Sequence, residues 1–138
     1  MGTSEYSPWQ RLGPPWSGIP QKPGVYQIRW RCHTISRLLG NDEEGIMYVG
    51  CAKTSLRRRL RAFYYRVNGA TGSPHAGGRT YAELNLADKV PVEELGYRWR
   101  EAASSGVAME MEFSELREYG EIFGEMPPLN SARPHSPG

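Results

Sequence analysis

Residues 24 to 32 alternate strictly, with Tyr26, Ile28, Trp30 and Cys32 on one side and Gln27, Arg29 and Arg31 on the other. A period of two means a strand with one buried face. After the polar turn Gly40-Asn41-Asp42-Glu43-Glu44-Gly45, residues 46 to 50 predict a second strand, antiparallel to the first as a hairpin. The period then changes to that of a helix. Thr54 or Ser55 is a good N-cap, and Leu56, Leu60, Phe63 and Val67 fall on one stripe. A one-faced hairpin followed at once by a one-faced helix can bury both apolar surfaces only by packing one on the other. The chain is therefore read as α/β.

Further along, residues 68 to 78 read as a flexible loop, 80 to 88 as a short helix, 97 to 100 as a third strand and 107 to 119 as a final helix. The order β-β-α-α-β-α predicts a small three-stranded antiparallel sheet with flanking helices. Residues 1 to 22, rich in Pro, Gly, Ser and Trp, are expected to form an irregular arm pinned by tryptophans. Residues 23 to 130 form the domain, and 131 to 138 a flexible tail. A chain of 138 residues suffices for one core and is too short for two ordinary domains. It contains no apolar run of membrane-spanning length and no signal-peptide layout, so no membrane partner is expected. Two cysteines, Cys32 and Cys51, argue against a disulfide scaffold and for a reducing, cytoplasmic (or nucleoid or nuclear) setting. His33, His75 and His135 lack zinc-ligand spacing.

The net charge of +2 hides a strong segregation. Residues 46 to 80 contain no carboxylate but carry Lys53, Arg57, Arg58, Arg59, Arg61, Arg66 and Arg79, whereas nine of the fifteen carboxylates lie between Glu93 and Glu125. A basic block of this kind suits a phosphate backbone; it also suits a solvated helix packed beside an acidic one.

Helical geometry sharpens the candidates. Arg59 falls about 60° from Leu56, at the rim of the apolar stripe, where a rigidly held guanidinium suits a bidentate phosphate clamp or covers core atoms. Arg57, Arg58 and Arg61 face outward, toward phosphates or water. Taking Met109, Phe113 and Leu116 as the buried stripe of the last helix, Glu112 sits at its edge, with Glu110, Glu115 and Glu118 turned away. A carboxylate so placed can hold a partly hydrated Mg²⁺ ion. Tyr26 and Tyr48 are core tyrosines or phenols whose ionisation a nearby guanidinium and metal assist. His75 is a phosphate contact, a proton relay or an exposed loop residue. Asn130, after Pro127-Pro128, is a turn residue or an amide that organises a site.

Together, Gly24-Val25-Tyr26, Tyr48-Val49-Gly50, Ala52-Lys53, the basic helix, a Glu-bearing helix and the closing asparagine resemble the GIY-YIG nuclease family over residues 23 to 130. The resemblance implies a metal-dependent DNA endonuclease using Mg²⁺, with Mn²⁺ as a substitute, and leaving 5′-phosphate and 3′-hydroxyl ends. It implies catalytic roles for Tyr26, near the attacking water, and for Tyr48, Arg59, Glu112 and Asn130, with His75 or Tyr64 as the substitute for a proton-exchanging residue where this chain has Phe63, unless that role is absent. Glu112 would be the metal ligand, and Lys53, Arg57, Arg58, Arg61, Arg66 and Arg79 would bind DNA. Without a one-residue insertion at Thr54-Ser55, Arg58 would replace Arg59. Three departures stand out: Val25 replaces the usual isoleucine, the segment between Tyr26 and Tyr48 is long, and Phe63 lies where many members carry His or Tyr. The alternatives are a non-catalytic nucleic-acid-binding module and a nuclease subunit active only with a protein partner, or as a homodimer.

Overall fold

The computed structural model describes residues 5–130; the expected tail at 131 to 138 lies outside them. Four strands, β1 (Gln10–Arg11), β2 (Gly24–Trp30), β5 (Ile46–Ala52) and β6 (Leu95–Glu101), form an antiparallel sheet in the order β1-β6-β2-β5. Two short strands, β3 (Ile35–Arg37) and β4 (Gly40–Asp42), make a separate hairpin. Helices α1 (Leu56–Val67), α2 (Ala76–Glu83) and α3 (Ser105–Phe123) complete the fold. Among the described residues, no helix is long and apolar enough to cross a membrane.

The sheet has four strands rather than three because the arm is not wholly irregular. Gln10 and Arg11 pair with Tyr97 and Gly96, and Ser7 extends the contact by exchanging hydrogen bonds with Trp99. Strand β2 lies in the middle and is buried on both faces rather than one: Val25 and Gln27 are buried as well as Tyr26 and Ile28, because α3 covers the second face. Tyr26 and Ile28 join the larger core with Leu56, Leu60, Phe63 and Val67 of α1, all four buried as expected. Full burial of such side chains contributes roughly 2 kcal/mol each. On the opposite face Val25, Ile46, Val49 and Tyr119 make a smaller core beneath α3. A bulge between Ile28 and Arg29 leaves Met47 without a β2 partner, so Tyr48 sits opposite Ile28 while Ile46 sits opposite Arg29. Tyr26 and Tyr48 thereby share one face and Ile46 the other.

The segment between β2 and β5 is more than a polar turn, since it folds into the β3–β4 hairpin. Buried Asp42 ties it down. Its carboxylate accepts the backbone N–H groups of Glu44, Gly45 and Ile46 and the Tyr119 hydroxyl at 2.8 to 3.2 Å. Each donor orphaned by its loss would cost about 1–3 kcal/mol.

Helix α1 matches its expected limits, with Ser55 Oγ accepting Arg58 N–H at 3.1 Å. Helix α2 begins earlier than expected, at Ala76, and ends at Glu83; residues 86–88 form a separate 3₁₀ turn. The cause is an unusual cap. His75 Nδ1 accepts Gly78 N–H at 3.1 Å, so a stretch that reads as loop by its glycines starts a helix. Those glycines are close-approach residues: a Cβ on Gly77 would lie 2.6 Å from the Tyr48 ring, and one on Gly78 2.8 Å from Arg66 Cβ.

Helix α3 runs from a Ser104 cap to Gly124, which adopts φ of 79°. Its buried face differs from expectation by a rotation of about 90°. Met109 and Phe113 are exposed at 46% and 67%, while Ala108 and Tyr119 are buried and Met111 and Leu116 half-buried. An apolar stripe misleads here because α3 packs on a sheet face bearing Gln27, Arg98 and Arg100. Facing those groups, a glutamate is the better neighbour.

Candidate active site at the sheet edge

Tyr26, Tyr48, Arg59, His75 and Glu112 converge where β5 meets the start of α1. The two tyrosine rings lie 6.1 Å apart between centroids, and His75 is 6.1 Å from Tyr26, 5.3 Å from Tyr48 and 5.1 Å from Phe63. Gly50 makes this packing feasible. A Cβ there would stand 2.6 Å from Tyr48 Cε2 and 2.7 Å from the Tyr26 oxygen, so the third residue of Tyr48-Val49-Gly50 has no room for a side chain. His75 Nε2 lies 2.6 Å from Tyr26 Oη, and Arg59 donates to the Pro74 carbonyl at 3.2 Å while also approaching Tyr26.

Burial pushes the Tyr26 phenol well up, Tyr48 adds to that, and Arg59 opposes it. Tyr48 is pushed up to about 12, first by burial and then by the Glu112 charge, with Arg59 pulling the other way. Burial and the Arg59 charge lower His75 to about 3, so its ring is neutral. Burial also raises Glu112, while the Cys51 thiol that hydrogen-bonds its carboxylate, together with Lys53 and Arg59, counteracts the rise. Cys51 itself rises to about 11, through burial and the Glu112 charge. Beside this cluster opens a cleft of about 380 Å³ lined by Cys51, Lys53, Thr54, Ser55, Arg58 and Arg59.

His75 links the site to stability. Its folded pKa of about 3 lies below the ordinary 6.5, so between those values the unfolded chain binds a proton that the folded chain refuses. Stability is therefore intact above about pH 6.5 and falls as pH decreases toward 3, by up to about 1.4 kcal/mol per pH unit. Urea melts of wild type and His75→Asn at pH 5 and 7.5 check this. The variant should lose less stability on acidification, and equal losses would show that the ring is not held neutral.

Other expected residues lie elsewhere. Asn130 hydrogen-bonds the strand backbone: Oδ1 accepts Val49 N–H and Nδ2 donates to Val49 O, both at 2.9 Å, clamping the free edge of β5 next to Tyr48. Its amide organises the strand. Arg57, expected to face outward, instead binds the arm, donating to Ile19 O at 2.9 Å and Ser17 O at 3.3 Å. Arg58 and Arg61 are exposed, the latter over the Tyr65 ring. Arg66 packs its stem against α2, and Arg79 pairs with Glu83 at 3.7 Å. Glu118 is exposed as expected, but Glu115 is not. It accepts from Tyr6, from Gln27 at 3.0 Å and from Arg100 at 3.0 Å, on the face of the sheet opposite the tyrosines. His75, expected in an exposed loop, is 4% exposed, with Nε2 against Tyr26 and Nδ1 accepting Gly78 N–H.

No family model, curated protein or solved structure matches this chain. The site must be read from its own chemistry. Cys51 is the member that sequence reasoning missed. Nothing in its spacing marks it, and it is defined only by the carboxylate that α3 brings alongside.

Glu112 fits a hard divalent ion. Among the described residues no three His, Cys, Asp or Glu side chains cluster as a metal cage, and Mg²⁺ commonly takes only one or two carboxylates plus waters and substrate phosphate oxygens. A half-buried carboxylate with a raised pKa gains most from a bound cation.

Proposed function

We propose that this chain is a Mg²⁺-dependent DNA endonuclease of the GIY-YIG type, leaving 5′-phosphate and 3′-hydroxyl ends. The observation that carries the reading is the convergence of two phenols, a guanidinium and a carboxylate, from residues 26 to 112, beside a basic cleft. Arg59, half-buried and held by Pro74, faces the phosphorus oxygens as negative charge builds on them. Lys53 and Arg58 line the cleft and neutralise the phosphates on either side. Tyr48, at the rim, orients the attacking water. A divalent ion on Glu112 would supply Lewis-acid stabilisation of the departing 3′ oxygen.

One observation favours the second reading, a nucleic-acid-binding module without catalysis: Tyr26, the residue expected beside the water, is 0% exposed. Metal separates the two. Supercoiled, linear and branched DNA incubated with the protein should be cut with Mg²⁺ and left intact with EDTA. Binding without cutting at any Mg²⁺ concentration would leave the module standing. Since Arg57 is occupied by the arm, Arg58→Ala with Arg61→Ala should flatten the slope of log K against log salt by about 0.9 per lost contact. Arg57→Ala should leave that slope unchanged.

A further inference from the structure

We propose that His75 is a positioning residue that fixes the direction of the tyrosine hydrogen bonds, so that Tyr26 donates to Tyr48 and Tyr48 is the one of the pair that exchanges a proton with solvent. The argument begins at α2. His75 Nδ1 accepts the Gly78 N–H at 3.1 Å, and a ring nitrogen that accepts an N–H carries a lone pair. In a neutral imidazole the proton must then sit on Nε2. That Nε2–H lies 2.6 Å from Tyr26 Oη and donates to it. Arg59, a pure donor, approaches the same oxygen. With two donors on its oxygen, Tyr26 turns its own proton toward Tyr48, whose ring lies 6.1 Å away between centroids and packs with the Tyr26 hydroxyl around Gly50.

Exposure agrees with this polarity. Tyr26 is 0% exposed and Tyr48 9%, so of the two rings only Tyr48 touches solvent. The helix cap and the site are thus one device. The N–H that starts α2 dictates which nitrogen of His75 carries the proton, and Gly77 lets the same helix lie against the Tyr48 ring.

The consequence for cleavage rests on the nuclease reading. When the pair loses one proton to solvent it leaves from Tyr48, and the Tyr26 O–H stabilises the phenolate that remains. That phenolate takes a proton from water as the water oxygen bonds to phosphorus. The bond from phosphorus to the 3′ oxygen breaks, and the 3′ oxygen takes a proton from solvent.

Side-chain NMR of the full chain labelled with ¹⁵N-histidine tests the hydrogen-bond direction without DNA. At pH 6 to 8, His75 should show only the Nε2–H form, with its proton close to the Tyr26 ring. A proton on Nδ1, or a doubly protonated ring at pH 6, would overturn the proposal. Asparagine is a good N-cap but too short to reach Tyr26, so His75→Asn keeps the cap and removes the donor. Its turnover should fall about 10- to 100-fold with DNA affinity unchanged, and Tyr48→Phe should be more damaging than Tyr26→Phe. Wild-type turnover in His75→Asn, or the reverse order of the two tyrosines, would also overturn it. If the wild type cuts no DNA, the nuclease reading falls, while the NMR result still decides what His75 does.

Discussion

Replacing Glu112 by Gln is expected to lower Mg²⁺-dependent cleavage by about 10³-fold while DNA binding is kept or strengthened. The substitution preserves size and the ability to meet the Cys51 thiol, and it removes the carboxylate whose charge acts on Tyr48 and Cys51. It also removes a negative charge close to where a phosphate would sit, so affinity should not fall. Two other glutamates on α3 serve as controls with different outcomes. Glu118 is exposed, and Glu118→Gln should be nearly silent in both cleavage and melting. Glu115 is tied to Tyr6, Gln27 and Arg100, so Glu115→Gln should lower the melting temperature. Single-turnover cleavage, equilibrium DNA binding and thermal melts on the three variants separate these cases. An active Glu112→Gln enzyme beside a dead, well-folded Glu118→Gln one would mean that the metal carboxylate lies on the other side of α3.

Arg59→Lys is expected to cost about 10²-fold in the single-turnover rate and Arg59→Ala about 10³-fold. Lysine keeps the charge but loses the planar fork, and it cannot hold Pro74 O while also addressing Tyr26 and a phosphate. Exposed Arg58, changed to Lys, should retain the rate and show little change in affinity. Should Arg58→Lys instead be the dead variant, the phosphate clamp would be one residue earlier, in the register without the Thr54-Ser55 insertion. The comparison therefore decides between two alignments of α1 as well as between two roles.

Much of the site was legible because it sits on the most regular elements. Strand β2 alternates because Tyr26 and Ile28 enter the larger core while Gln27 and Arg29 meet polar and aromatic partners on the other face, and the position of Tyr26 follows from that pattern. The buried residues of helix α1 are Leu56, Leu60, Phe63 and Val67, and helical geometry places Arg59 at their rim. Glu112 is half-buried, as its place beside the expected stripe implied, but so is Glu115, and the stripe itself was misplaced. Met109 and Phe113 are exposed, and the true sheet-facing side contains Ala108, Glu115 and Tyr119. The three-stranded sheet and the solvent-facing Glu115 failed for a related reason. Both depend on the N-terminal arm, whose Gln10 and Arg11 add a strand and whose Tyr6 meets Glu115.

By itself, the sequence determined the elements whose apolar period is set locally. These are the central hairpin strands, the basic helix α1 and the separation of positive from negative charge along the chain. Only the tertiary structure decided which polar groups meet. His75 had to be recognised as a helix cap before its second nitrogen could be assigned to Tyr26, and Asn130 had to be seen on Val49 before its amide could be assigned to the edge of β5. The physical reason is that burying apolar surface is non-directional and leaves a periodic trace in the chain. A hydrogen bond requires one particular donor and acceptor at about 3 Å, and for His75 and Tyr26 those lie 49 residues apart.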